Sequence, residues 1–386
     1  MKTYRNIIFL SSQPLIPHIK NSIYMKELIA AGFHVEFWCF RKLCNYKYYF
    51  PNELVDEFSD FSRKKDLLAA LKRFSPDDTF VFLESIRTLS AYSVVKRFRD
   101  FDIGTLVLYR TFPYDRSFYD GLKRKTTLWQ KLKDVWTQHR LDKRIAEYLF
   151  NRNIRITYKF QSGCLGSAAN GTKLIPINYI FTGGKERPEE WRDKPYCLYI
   201  EQGWPKNQDL IYHGVNIEGN RFCEFCNAFF KKIEDEYGVP VIIAGHPKSP
   251  MTSEDFGGRP FIRGCLESLI DGAEYVTGHE STAFNYAVIK HKKLALFHES
   301  FLREKVPHIA WRTDKLASLL GVEAYDAEAL PPHIEFKCDP EKYDRFSRDY
   351  LIGDPARGNA EIIIDTLSGK TPQAETAGTD GPVKEI

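Results

Sequence analysis

Residues 6–40 read NIIFLSSQPLIPHIKNSIYMKELIAAGFHVEFWCF, and the fold follows from how this stretch divides. The apolar run 6–10 is a buried strand, and 11–17 is a polar turn with two prolines. Residues 19–31 carry apolar side chains at helical spacing up to a helix-stopping Gly32, and 33–40 (FHVEFWCF) is a second strand. A strand, a helix and a strand in this order make a βαβ unit, which pairs its strands in parallel.

The same alternation continues outward. Helices are expected over 66–74 and 92–98, strands over 79–83 and 104–109, and a long helical stretch over 127–150 leads into a strand at 155–160. After an apolar piece at 173–180, the polar segment 182–194 (TGGKERPEEWRDK) marks a boundary. A second series begins with YCLYI at 196–200 and runs through helix 221–237, strands 240–244 and 260–262, helix 265–272, strand 274–277, helix 282–290 and strand 293–297. The expectation is an α/β protein of two Rossmann-like units, 1–187 and 188–368, with closing helices at 340–351 and 359–367 and a disordered tail at 369–386. A cleft is expected between the carboxyl ends of the two sheets, where such units bind ligands.

Composition agrees with a large folded core. Of 386 residues, 43% are hydrophobic and 27% charged, which excludes a mainly disordered chain, and no apolar run reaches the roughly 20 residues of a membrane span. The opening MKTYRNIIFL lacks the apolar run of a signal peptide, so the chain is expected in the cytoplasm. The eight cysteines are scattered, and Cys223 and Cys226 share one face of an apolar helix beside Phe222, Phe229 and Phe230, which points to core rather than metal. Asp100 and Asp102 precede a strand, at the wrong end of a sheet for metal-assisted transfer, and read as a turn. Glu234, Asp235 and Glu236 read as the solvated end of a helix, and no metal site is expected.

Three loops after strands of the second unit carry the chemistry: Glu201-Gln202-Gly203, Gly245-His246-Pro247-Lys248 and His279-Glu280-Ser281-Thr282. Ser281 and Thr282 would open a helix, where free N–H groups and hydroxyls suit a phosphate; the same residues also suit a plain cap. Pro247 restricts His246 to an extended shape, so its imidazole is aimed consistently, suited to protonating or hydrogen-bonding a leaving phosphate, with Lys248 adding charge. Glu201 follows a strand, so its carboxylate should face the cleft within reach of an acceptor hydroxyl.

Taken together, these motifs resemble the bacterial sialyltransferase group of GT-B architecture, which has an acidic-acidic-Gly motif, a His-Pro motif and a Ser-Ser/Thr motif in this chain order. The match departs from the pattern at Gln202, where that group has a second acid. The resemblance implies a CMP-linked, sialic-acid-like donor and a surface glycan or glycolipid acceptor, as in capsule or lipooligosaccharide synthesis. It implies Glu201 as base, His246 as acid or phosphate ligand, and Ser281 and Thr282 as the donor phosphate site. It also implies Ile262, Arg263 and Gly264 against the nucleotide base. In the acceptor-binding first unit, the strand-end rule puts His18, Arg110 and Arg116 toward the acceptor, with Asp115 as an alternative base. No resident cofactor is implied, since the nucleotide-sugar is a substrate.

Residues 122–155 hold ten Lys or Arg against three acids. An apolar stripe through Trp129, Leu132, Trp136, Ile145 and Leu149 would dock on the first sheet or lie on an anionic membrane, peripheral to the inner face. No recognised nucleic-acid motif accompanies it. Competing functions are a UDP-sugar, GDP-sugar or CDP-polyol transferase on the same scaffold, and a non-catalytic nucleotide-sugar-binding protein. A 2-epimerase is disfavoured by the lack of a Ser-Gly-Gly segment.

Overall fold

In the computed structural model the described residues are 2–44, 57–84, 87–107, 138–166, 171–180, 184–204, 217–247, 249–305 and 307–370. The opening βαβ unit is present, with β1 (Asn6–Ser11) and β2 (His34–Cys39) paired in parallel. Its helix is broken in two, Pro17–Ser22 and Met25–Ala30, at Tyr24, which stands in the left-handed region at φ 58°. The Tyr24 hydroxyl accepts from Asn359 Nδ2 at 2.9 Å, so a residue far along the chain holds the break.

With β3 (Ser59–Asp60), β4 (Thr79–Glu84), β5 (Asp102–Val107), β6 (Ile156–Ser162) and β7 (Lys173–Ile177), the first sheet has the order β3-β2-β1-β4-β5-β6-β7. The second sheet contains β8 (Cys197–Ile200), β9 (Val241–Ala244), β10 (Phe261–Ile262), β11 (Tyr275–Gly278), β12 (Lys293–His298) and β13 (Ala324–Asp326), in the order β10-β9-β8-β11-β12-β13. All strand pairs in both sheets are parallel. The architecture is therefore α/β with two Rossmann-like sheets, as the alternation implies. Strand order reverses between β1 and β4 in one sheet and between β8 and β11 in the other, and ligands enter open α/β sheets at such points.

Helix Gly219–Tyr237 lays Phe222, Cys226, Phe229, Phe230 and Ile233 on the second sheet, all fully buried. Each large side chain so buried contributes about 1.5–3 kcal/mol relative to exposure. Cys226 is core, as its spacing implies, and Cys223 is half-buried beside it. Glu234 differs from the solvated end expected: it takes both arms of Arg259, at 2.8 and 2.7 Å, and accepts the Val241 N–H. The acid at the end of this helix thus ties it to the start of β9. Asp102, expected in a turn, opens β5 and binds Lys2 (2.7 Å), Tyr4 Oη (3.0 Å) and Thr157 Oγ1 (2.9 Å).

The closing segment departs most from expectation. The first of its helices is Pro340–Phe346, continued by a wider π-turn over Ser347–Leu351. That turn meets the first unit: the carbonyls of Arg348 and Asp349 accept from Cys164 and Leu165, and that of Leu351 from Tyr179. Helix Asn359–Leu367 then packs on the first sheet rather than the second, its Ile362, Ile363 and Leu367 buried beside Ile7, Phe9 and Leu28. The unit expected over 188–368 therefore gives its last helix to the first, whose apolar face needs the cover. Helices Ser300–Lys305 and Pro307–Leu320, with β13, were not read from the sequence. Among the described residues no helix is long and apolar enough to cross a membrane.

Candidate functional site

Because β9, β8 and β11 are neighbours in the second sheet, the loops leaving their carboxyl ends emerge side by side. The middle loop ties the other two together. Glu201, only 2% exposed, accepts the His246 N–H (2.9 Å) and the Ser249 O–H (3.1 Å), and also the N–H of Gly203. Gly203, at φ 79°, makes the left-handed turn that brings its N–H back onto this carboxylate. On the other side Gln202 donates from Nε2 to the carbonyl of Glu280. An ionised acid at 202 could not make that bond, so the departure from the motif has a use here.

Glu201 was expected to face the cleft; its carboxylate is instead buried among three donors. Burial raises its pKa, and the donors from His246, Gly203 and Ser249 offset part of that rise. A strand end tells where the chain emerges, not whether its side chain turns inward. His246 is exposed, held through its backbone rather than buried. Its carbonyl accepts the Ser249 N–H at 3.0 Å, closing a tight turn through Pro247. Gly245 is required by close approach, since a Cβ there would lie 2.0 Å from the Phe261 ring.

Arg263 is committed to the same turn. Its Nη2 donates to the carbonyls of Ser249 (3.1 Å) and Met251 (2.6 Å), and its guanidinium lies 4.5 Å from the Phe261 ring centroid. Gly264 accepts the Lys185 N–H at 2.9 Å, so its carbonyl fastens the segment between the units. Ile262 ends β10 and packs on the core.

Ser281 and Thr282 do not open a helix directly. Three successive i→i+3 bonds, from Phe284, Asn285 and Tyr286 N–H to the carbonyls of Ser281, Thr282 and Ala283, form a tight turn, and the α-helix is Phe284–Ile289. Ser281 Oγ accepts the Ala283 N–H at 3.3 Å, the local side-chain bond by which serine competes with helix. The N–H groups of Ser281 and Thr282 have no partner among the described residues.

Beneath these loops lies a pair the sequence did not single out. His279 and Glu299, both 0% exposed, meet through Nε2 at 3.1 and 3.0 Å from the two carboxylate oxygens. Phe222 and Phe297 wall the imidazole, and its Nδ1 is buried without a partner among the described residues. The pair joins the end of β11 to the end of β12. An acid placed just after the apolar strand KLALFH was the available signal for Glu299.

In the first unit, His18 lies on helix Pro17–Ser22. Lys248, Arg110, Arg116 and Asp115 lie outside the described residues, as does the stretch 122–137 with its two tryptophans. The carboxyl ends of β1 and β4 are joined by Ser11 Oγ donating to Glu84 Oε2 at 2.8 Å. Among the described residues no group of three side chains suited to a metal comes together.

No protein-family model matches the chain, and no curated protein matches its sequence. Solved structures similar to it include CalG4, the calicheamicin glycosyltransferase, at 15% identity and TM-score 0.48 over 96% of this chain and 100% of that one. MurG from Acinetobacter baumannii has 8% identity and TM-score 0.47 over 95% and 99%. The UDP-GlcNAc 2-epimerase from Methanocaldococcus jannaschii has 13% identity and TM-score 0.44 over 96% and 98%.

Proposed function

We propose that this protein is a glycosyltransferase that moves a sugar from a nucleotide-activated donor, CMP-linked and sialic-acid-like, to a bacterial surface glycan or glycolipid. The observation that carries the reading is the junction of the three motif loops: Glu201 bonds the His-Pro loop, and Gln202 bonds the loop leading to Ser281 and Thr282. In this reading the N–H groups of Ser281 and Thr282, which have no partner among the described residues, hold the donor phosphate together with the two hydroxyls. His246 donates a hydrogen bond or proton to the phosphate as it leaves, and Lys248 adds charge. Arg263 and Gly264 hold the loop wall against which the base lies, beside Ile262. His18, Arg110 and Arg116 serve the acceptor.

Glu201 acts as a positioning residue in this scheme, because a carboxylate already accepting from three donors has little left to offer an acceptor hydroxyl. A membrane-facing role for the basic segment is part of the proposal. Helix Gln138–Asn153 exposes Ile145 (40%) and Tyr148 (59%), with Arg144 and Arg152 nearby on its exposed side, as an anionic inner-leaflet surface would favour.

Melting temperature measured with CMP, CDP, UDP and GDP, each with and without a chelator, tests the donor class. A response to CMP alone that survives the chelator is expected. A response to UDP, GDP or CDP alone would move the protein to the corresponding transferase, and none to any nucleotide would sink the reading. Nucleotide binding by the wild-type protein without any transfer or donor hydrolysis would favour a binding protein instead, and unchanged transfer by a folded His246→Ala would remove His246 from the mechanism.

A further inference from the structure

We propose that Glu84 of the first unit is the base that takes the acceptor's proton. The inference rests on the transfer reading above and supplies the group that Glu201 leaves unassigned.

Glu84 is the last residue of β4, which stands beside β1 at the place where strand order reverses in the first sheet. That is the position at which an α/β sheet receives a ligand; in the second sheet the corresponding reversal lies between β8, which Glu201 follows, and β11. Five residues of β4 before it, Thr79 to Leu83, are buried, while Glu84 itself is exposed. The apolar strand thus ends in a carboxylate directed out of the core. Ser11, its register partner across β1, is 2% exposed and donates Oγ–H to Oε2 at 2.8 Å. The Ser12 N–H donates to the Glu84 carbonyl at 3.0 Å, so backbone and side chain are both fixed. Oε1 has no partner among the described residues.

The two strand-end glutamates therefore differ in what they have left to give. Glu201 accepts from three donors and is closed to solvent; Glu84 accepts at Oε2 from one side chain and, as a residue, is exposed. Desolvation by the surrounding protein raises its pKa, with the Ser11 hydrogen bond offsetting part of the rise, and a carboxyl group so raised is a better base than an ordinary one.

The step balances without a further reactant. The acceptor oxygen forms a bond to the anomeric carbon as the bond from that carbon to the phosphate oxygen breaks. The leaving phosphate keeps the electron pair, and the acceptor proton passes to Glu84.

The test uses the full chain, CMP as the binding probe, and a CMP-linked sialic acid with water as acceptor. Glu84→Gln keeps a carbonyl oxygen for Ser11 but cannot take a proton. CMP affinity and donor KM within about threefold of wild type are expected. Hydrolytic kcat should fall by roughly 10²–10⁴-fold, with Glu84→Asp in between. A folded Glu84→Gln that binds CMP normally and hydrolyses the donor within about threefold of wild type overturns the assignment and leaves the transfer reading standing. A wild-type protein that neither binds CMP nor hydrolyses the donor overturns the donor reading and this inference with it.

Discussion

The two sheets of this protein share a topology but differ in how their strand ends are tied. In the second unit the polar bonds gather where the strands finish: Glu201 to 246 and 249, Gln202 to 280, His279 to 299. In the first unit one polar cluster lies where the strands start, with Lys2, Tyr4 and Thr157 around Asp102, and another, around Asn178, fastens the end of β7 to the closing segment. At other strand ends of this sheet the side-chain ties include Ser11 to Glu84 and Arg41 to Asp60. The difference separates preorganisation from anchoring. In the proposed reading, the loops that hold the donor phosphate are the ones cross-braced to each other through Glu201 and Gln202.

If the bracing serves catalysis, His246→Ala should give the largest effect, with kcat reduced by roughly 10²–10⁴-fold and acceptor KM little changed. Steady-state kinetics with both substrates varied would show it, and a fall confined to KM would break the comparison at its centre.

The buried pair below the loops comes next. His279→Ala leaves Glu299 without its partner in a closed aromatic setting and should cost about 3–5 kcal/mol in denaturant unfolding. His279→Phe combined with Glu299→Leu should be far milder, since apolar replacement of both partners removes the charge that needed one. Equal losses in the two variants would mean that bracing, and not burial of a lone charge, sets the cost.

A smaller effect is expected from Glu201→Gln, which turns an amide N–H₂ toward one of three donors and should cost about 1–3 kcal/mol. Ser11→Ala in the first unit removes one bond and should cost about 0.5–1.5 kcal/mol. Unfolding curves on the two variants sharpen the comparison directly, and a costlier Ser11→Ala would reverse it.

The smallest effect concerns pH. Burial tends to raise the pKa of Asp102, but the donors from Lys2, Thr157 and Tyr4 outweigh it and hold the group below its ordinary value. A depressed carboxyl contributes stability that is present above its unfolded pKa, near 3.9, and is lost as pH falls through the lower folded value. Asp102→Asn should therefore melt below wild type at neutral pH, with the gap closing below about pH 4. A gap that persists into strong acid would assign the loss to packing.

Most of the architecture could be read from residues 6–40 and 196–297, because alternating strands and helices leave few topologies open. The three site loops were legible for the same reason: strand ends are where ligands bind. What failed to show was side-chain direction and partner choice. Nothing in YCLYIEQG says that the glutamate turns inward, and nothing around Arg263 says that it clasps two carbonyls of a neighbouring loop. A lone acid after TFVFL carries no motif; Glu84 gains meaning only from its place beside Ser11 in the sheet. The apolar spacing of 359–367 gave a helix but not the sheet that it covers.

That last helix has a consequence for how the chain is made. Tyr4 N–H donates to the Leu367 carbonyl at 3.1 Å, and Asn359 bonds both Tyr24 and Asn178, so the first unit is sewn shut by a helix that leaves the ribosome after the whole second sheet. During synthesis the earlier sheet must wait, with one apolar face uncovered, while the whole later unit is made and folds. Such long-range closure is slow and exposes sticky surface, so chaperone demand and loss to aggregation should rise sharply in chains that end before residue 359.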